Sequence, residues 1–357
     1  MHSKSSIGRS SFPISPTLTR ARLEQILDAL PARRVGIIGD FTLDAYWYAD
    51  MARAELSREA PLYNRPVVRE TYSPGGAANV AWNVASLGVG EPYALTLFGE
   101  DWRGDLLRAI LRREGVCLDH ALLRPERITP CYAKVILTAH SLQQEDARLD
   151  FFNPGQPGPE AEAELVASLD ALAPQLDALI VNDQLAGGLI TPRVHRALLG
   201  LATARPDMVF VVDSRSRIDR FPSMTLKPND LEAARARFPG EAPDSIPRDR
   251  LVEAAVSWQR EQGRPIYITV GPEGCLVLSD DGAAHVPGVP LQPPLDPVGA
   301  GDTFISALAA CLAAGASPVE AGQIAVLASA VSVCKLHVTG TASPAEILEM
   351  HARRSPT

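Results

Sequence analysis

Arg34-Val35-Gly36-Ile37-Ile38-Gly39-Asp40 is a short apolar run closed by Gly-Asp. Its apolar residues are contiguous rather than alternating, the pattern of a strand buried on both faces. Similar runs recur at 93–98, 178–181, 208–212 and 265–270, with helix-patterned stretches at 77–87, 103–114, 161–173 and 251–262 between them. That alternation predicts an α/β fold in three layers, a mostly parallel sheet covered by helices on both faces.

Two stretches break the rhythm. Residues 46–72 hold polar and aromatic residues with Pro61 and Pro66 and show no helical period. Residues 129–152 place Ala133, Val135 and Leu137 on alternating positions, then a polar turn and Arg148-Leu149-Asp150-Phe151. Both read as extended strands outside the parallel core: either two surface hairpins or one small β-sheet that covers a site. The Pro- and Gly-rich segment from Asn153 to Pro159 supplies the return linker. Ser317-Pro318-Val319-Glu320 and Ser343-Pro344-Ala345-Glu346 share one helix-start signal, a Ser cap with Pro first and Glu third. The first opens a small-residue helix through Val333.

The 357 residues suggest two or three domains at about 150 residues each, and one large α/β domain with an insertion fits as well. Apolar residues at 46% and charged residues at 21% support a sizeable core and exclude a wholly disordered chain. A formal charge of −8 gives no general attraction to nucleic acid or to an anionic membrane, though a local basic pocket for a small anion remains open. The five cysteines show neither CxxC nor Cys/His ligand spacing, which fits a reducing cytoplasm better than a disulfide framework or a zinc site. The Ser-rich stretch 1–16 lacks a continuous apolar segment, and no run approaches about eighteen apolar residues, so the expectation is a soluble, cytoplasmic protein.

The chemistry concentrates in Asp296-Pro297-Val298-Gly299-Ala300-Gly301-Asp302-Thr303. A glycine-rich turn here runs into a helix with apolar Phe304, Ile305, Leu308, Cys311 and Leu312, ended by Gly315. Gly299 and Gly301 let several N–H groups point at one spot, and the helix N-terminus adds roughly half a positive charge there. Such a site suits the charge developing on a transferring phosphoryl group, and Asp302 beside it can accept a proton from an attacking hydroxyl. Equally, Asp302 can simply cap the helix. Upstream, Pro74-Gly75-Gly76-Ala77-Ala78-Asn79 places two glycines and an amide before a helix, a ligand approach or a plain tight turn. Asp44, just after the first strand, can hold sugar hydroxyls or sit in a turn. No G-x-G-x-x-G follows the first strand and no G-x-x-x-x-G-K-[ST] occurs, which removes dinucleotide-dependent oxidoreductases and P-loop kinases.

Gly-Gly-Ala-Ala-Asn-Val near the N-terminus and Asp-x-x-Gly-Ala-Gly-Asp-Thr near the C-terminus resemble the two signatures of the ribokinase-like (PfkB) carbohydrate kinases. The resemblance spans about residues 33–348 and includes Asn229-Asp230-Leu231-Glu232, similar to the family's N-x-x-E, and Thr269-Val270-Gly271 at its nucleotide-site strand. It implies a ribokinase-like core over 31–350 with lid segments at about 45–72 and 129–152, an extension at 1–30 and a tail at 351–357. It also implies Asp302 as catalytic base, and the amides of Gly299, Ala300 and Gly301 as an anion hole. Asp44, Gly75, Gly76 and Asn79 would bind the sugar. Thr269 and Gly271 would serve ATP, while Asn229 and Glu232 would organise Mg2+ largely through water. A monovalent cation and a homodimer formed through the lid belong to the same expectation.

Within the family, Gly39-Asp40-Phe41-Thr42-Leu43-Asp44-Ala45-Tyr46-Trp47-Tyr48, Ser57-Arg58-Glu59-Ala60-Pro61, Lys134 with Gln143-Gln144, and Arg148-Leu149-Asp150-Phe151 resemble the heptose kinases of lipopolysaccharide-precursor synthesis. That implies transfer to O1 of D-glycero-β-D-manno-heptose 7-phosphate. A 7-phosphate needs cationic partners, and Lys134, Arg148 and Arg58 are the candidates, each of which can equally be an exposed lid charge. Arg58 and an apparent insertion at 62–65 depart from the heptose-kinase pattern in the lid. The adenylyltransferase motif H-x-G-H is expected to be absent. Two alternatives stay beside this reading: a PfkB kinase for another sugar or nucleoside, and a non-catalytic sugar- or nucleotide-binding regulator.

Overall fold

A computed structural model describes residues 13, 15, 17–139, 142–336 and 339–354. An eight-stranded sheet forms its centre: β1 (Arg34–Gly39), β4 (Glu91–Leu95), β9 (Ala178–Asp183), β10 (Val209–Ser214), β11 (Thr225–Leu226), β12 (Ile266–Thr269), β13 (Gly274–Ser279) and β14 (Gly282–Pro287). Spatial order runs β14-β13-β12-β11-β10-β9-β1-β4. The six strands from β4 to β12 are parallel, and β13 and β14 close one edge as an antiparallel hairpin extension.

Contiguous apolar strands are needed because both faces are covered. Ile37, Ile180 and Val211 face one core, shared with helices α2 (Ala77–Ser86), α8 (Ala300–Ala313) and α9 (Pro318–Ser332). Their neighbours Ile38, Val181 and Val212 face the other, shared with α4 (Pro159–Leu172), α5 (Pro192–Ala204) and α7 (Arg248–Gln262). Each such side chain, taken fully out of water, contributes roughly 1.5–3 kcal/mol. Helices α1 (Arg20–Asp28), α3 (Trp102–Arg113) and α10 (Pro344–Arg354) complete the first layer, and α6 (Asp230–Arg237) the second. Both expected Ser caps form: Ser317 and Glu320 exchange bonds at the start of α9, as do Ser343 and Glu346 at α10. Among the described residues no helix is long and apolar enough to cross a membrane.

The apolar run at 93–98 is not one strand. It breaks after β4 because the Thr96 hydroxyl donates to the Gly39 carbonyl at 2.9 Å, and β5 (Leu97–Gly99) turns away to pair with β6 (Leu122–Arg124). A second sheet stands on the carboxyl side of the parallel core, built from β2 (Phe41–Asp50), β3 (Val67–Gly76), β7 (Cys131–Ala139) and β8 (Leu142–Phe151) in the order β3-β2-β7-β8. It is one sheet rather than two separate hairpins, because β2 and β7 pair in parallel over eight register positions, Leu43–Cys131 to Asp50–Thr138. Strand β2 leaves β1 after a single residue, Asp40, and β3 runs straight into α2. The small sheet is thereby fixed over the ends of the parallel strands.

Candidate active site

Helix α8 starts where the sequence places the glycine turn. Gly299 is its N-cap at φ 80°, a left-handed conformation that side chains other than Gly and Asn rarely adopt. An added Cβ would also stand 3.0 Å from the Asn79 amide nitrogen. The Ala300 N–H already donates to the Pro297 carbonyl at 3.2 Å. The amides of Gly299 and Gly301 find no acceptor among the described residues, so two donors and a helix N-terminus converge on one open spot.

Asp302, third residue of α8, does not cap it. Its Oδ2 accepts from Asn79 Nδ2 at 2.8 Å instead. Asn79 is fully buried, and Asn83 one turn later donates to its side-chain oxygen at 3.2 Å and its carbonyl at 2.9 Å. That bond fixes the Asn79 amide with its NH2 toward Asp302. Burial pushes the Asp302 carboxyl up to about 7; Asp213 and Asp44 push it the same way, while Asn79 and Lys227 oppose. A carboxylate poised near neutrality is a competent general base.

Lys227 escaped the sequence reading. It follows β11 directly and is buried, with Nζ 2.7 Å from Asp213 Oδ2. Burial pulls its pKa down, but the charge and hydrogen bond of Asp213, with Glu232 and Asp302 beyond, hold it above the ordinary lysine value. Its ammonium lies 3.7 Å from where a Gly301 side chain would begin. The one available signal was a lysine closing an apolar segment, Met224-Thr225-Leu226-Lys227, at the carboxyl end of a parallel strand. Strand β11 is only two residues long, too short to show a period.

Asn229 and Glu232 form a capping box on α6: Glu232 N donates to Asn229 Oδ1 and Asn229 N to Glu232 Oε2, each at 2.8 Å. Thr269 bridges to Asn229, its N–H reaching the Pro228 carbonyl at 3.0 Å, and Gly271 turns the chain beyond it at φ 57°. Burial first and Asp213 second raise the Glu232 pKa. The charges of Asp213, Glu232 and Asp302 all act on the buried Lys227 ammonium. Among the described residues no group of three or more His, Cys, Asp or Glu side chains is placed to hold a metal ion, so the carboxylates here fit a magnesium ion held through its water rather than one coordinated directly.

On the sugar side, Asp44, Tyr46, Tyr132, Lys134, Arg148 and Asp150 share one face of the small sheet. The register pairs Asp44 with Tyr132, Tyr46 with Lys134, Tyr132 with Asp150 and Lys134 with Arg148. Burial raises the Asp44 pKa to about 6, against the pull of Lys134 and Arg148. Gly75 lies so close that a Cβ there would meet Asp44 Oδ1 at 2.5 Å and Thr42 Oγ1 at 2.6 Å; Gly76 is the N-cap of α2. Lys134 and Arg148 are not free cations: Lys134 Nζ sits 3.4 Å from Glu145, and Arg148 makes a bidentate pair with Asp150 at 2.8 and 2.7 Å. Arg58 is exposed in the loop between β2 and β3.

Residues 200–346 match the pfkB family carbohydrate kinase pattern, a span that holds Asn229, Glu232, Thr269 and the Gly299–Asp302 turn. The chain is 34% identical over 318 residues to the Bifunctional protein HldE of Caulobacter sp. (strain K31), covering 88% of this chain and 62% of that one. Its likeness to the Bifunctional protein HldE of Pelobacter propionicus is 33% over 336 residues, covering 93% and 66%. The chain therefore spans less than two thirds of the length of these relatives. Among solved structures, Escherichia coli phosphofructokinase-2 in complex with potassium superposes with a TM-score of 0.70 at 18% identity, covering 91% of this chain and 99% of that one. Arabidopsis thaliana ribokinase complexed with ribose and ATP gives 0.66 at 17%, covering 89% and 98%. The fold is thus ribokinase-like, and the chain carries a kinase domain of the PfkB family of carbohydrate kinases.

Proposed function

We propose that the protein is an ATP-dependent sugar kinase that transfers the γ-phosphate to O1 of D-glycero-β-D-manno-heptose 7-phosphate. One observation carries the kinase part: a carboxylate raised to about 7 beside two unengaged amides and a buried ammonium. Asp302 would take the proton from the acceptor hydroxyl as it attacks. Gly299 and Gly301, with Lys227, would meet the charge growing on the transferred phosphoryl group. No covalent phospho-enzyme is required, because base and anion hole face one another and direct in-line transfer is open.

Asp44, Asn79 and the Gly75-Gly76 backbone would hold the sugar hydroxyls, with Lys134 and Arg148 toward its phosphate. Thr269 and Gly271 would border ATP. Asn229 and Glu232 would hold Mg2+ through water, and when bound that ion supplies neutralising charge to the ATP phosphates. A monovalent cation, as in the potassium complex of the neighbour, enters as a dependence to be read by exchanging K+ for Na+. The heptose acceptor is supported by the lid sequence and by the HldE relatives. A cytoplasmic setting suits five free cysteines. Leu56, Leu62, Tyr63, Val68 and Leu142 are exposed on the small sheet and its loop, which supports a homodimer formed there.

The test is ADP release from Mg-ATP across heptose 7-phosphate, unphosphorylated heptose, fructose phosphates, ribose and nucleosides. Selective turnover of heptose 7-phosphate is expected. Turnover of another sugar keeps the kinase and moves the acceptor, with Arg58 and the 62–65 insertion as the place to look. Silence across the panel leaves a sugar outside the panel or the non-catalytic binding reading.

A further inference from the structure

Three cations of the cleft are already neutralised. Lys227 is paired with Asp213, Lys134 with Glu145 and Arg148 with Asp150. A phosphate dianion entering such a cleft meets pairs of zero net charge, and it must compete with a carboxylate for each one. Arg215 differs. It is exposed, and among the described residues its guanidinium has no carboxylate partner.

Its place in the fold is fixed by the sheet. Arg215 is the first residue beyond β10, and its N–H donates to the Asp183 carbonyl at 3.1 Å, continuing the pairing of β10 with β9. Two residues earlier Asp213 holds Lys227 beside the Gly301 turn. The Arg215 charge acts on two groups from opposite sides of the cleft. One is the Tyr132 hydroxyl on β7, opposite Asp44; the other is the Glu232 carboxylate in the first turn of α6. Arg215 thus stands at the carboxyl end of the central sheet, two residues beyond the Asp213 that holds Lys227, and its charge is felt by a residue of the small sheet and by one of α6.

We propose that Arg215 is a phosphate-binding residue of this cleft, engaging a phosphate monoester or the terminal phosphate of a nucleoside triphosphate. The inference rests on the kinase reading above and adds to it the source of net positive charge. A guanidinium fork suits two phosphate oxygens at once, and free of a competing carboxylate it pays no exchange penalty.

The test compares Arg215→Ala and Arg215→Lys with the unmodified protein, using ATP and matched acceptors: heptose and heptose 7-phosphate, fructose and fructose 6-phosphate. Arg215 is exposed, so the melting temperature should stay within about a degree. The expected result is a loss of about tenfold or more in kcat/KM for Arg215→Ala, partly restored by Arg215→Lys or by added guanidinium ion. A KM rise confined to the phosphorylated acceptors assigns Arg215 to the acceptor's phosphate. A kcat loss shared by all acceptors assigns it to the transferred group. Values of kcat, KM for ATP and KM for acceptor all within about twofold of the unmodified protein overturn the proposal. If the unmodified protein turns over no acceptor, the kinase reading fails by itself. Calorimetric titration with ATP and with heptose 7-phosphate then decides Arg215: binding of either weakened about tenfold supports it, and unchanged binding of both overturns it.

Discussion

Asn79 and Asp302, 223 residues apart in sequence, are joined by a 2.8 Å hydrogen bond from the Asn79 amide to the Asp302 carboxylate. The bond ties α2, which leaves the small sheet, to α8, which carries the glycine turn. The Ser306 hydroxyl, donating to the Val80 carbonyl at 3.0 Å, braces the same pair of helices. Sugar side and phosphate side are therefore set against each other by one buried amide.

Replacing Asp302 with Asn should keep the fold and sugar binding while kcat falls by about a thousandfold or more. Its effect on stability has a definite sign. The folded carboxyl holds its proton to about 7 while the unfolded one releases it near 4, so the unmodified protein loses stability as pH rises between those values. Asn carries no such cost. Thermal melts should show Asp302→Asn equal to the unmodified protein at pH 4 and higher by a few degrees at pH 8. Normal turnover of the variant removes Asp302 from the chemistry.

The pH profile of kcat/KM should have an acidic limb near 7, because the base works only when deprotonated. Asn79 donates to the charged form and so lowers this pKa. Asn79→Ala should shift the limb to higher pH, besides weakening sugar binding. A limb that stays in place means the titrating group is not Asp302.

Two glycines of the turn should respond differently to alanine. At Gly299 the new side chain meets a left-handed backbone and the Asn79 nitrogen at 3.0 Å, so stability and activity should both fall, by about 1–2 kcal/mol and by more than tenfold. At Gly301 the nearest atom is Lys227 Nζ at 3.7 Å, and the backbone needs no positive φ. Gly301→Ala should melt normally yet lose activity, because its methyl fills the spot where the amides converge. Equal melting temperatures for both variants contradict this account.

Lys227→Met should cost about 3–5 kcal/mol, since it strands a buried Asp213 carboxylate. Adding Asp213→Asn should restore most of that stability without restoring kcat. A double variant as active as the unmodified protein makes the pair purely structural.

Lys134 and Arg148 both lower the Asp44 pKa, so replacing both with Met should raise it beyond about 6 and raise KM for a phosphorylated sugar at least several-fold. An unchanged KM with activity retained excludes both from phosphate binding.

Much of the centre was legible because its signals are local. A contiguous apolar run such as Val35 to Ile38 must be buried on both sides, and Gly299 with Gly301 must turn the chain before an apolar helix. The pairing of Lys134 was not legible. A bulge between Val135 and Ile136 sets Glu145 opposite Ile136, on the Lys134 face, where an unbroken register would put Asp146. Asp146 swings out to Arg65 instead, at 3.0 Å. The one-residue slip decides which charges cancel.

The sequence by itself determined the α/β architecture, the glycine turn and the residue types of the two signatures, because propensity and periodicity act within a dozen residues. Only the tertiary structure decided that Asp302 bonds Asn79 rather than capping its helix, that Lys227 lies buried beside Gly301, and that Arg215, unlike Lys227, Lys134 and Arg148, keeps its charge unpaired among the described residues. Those outcomes depend on burial and on contacts between distant segments, which set both the energy of a charge and the partner that answers it.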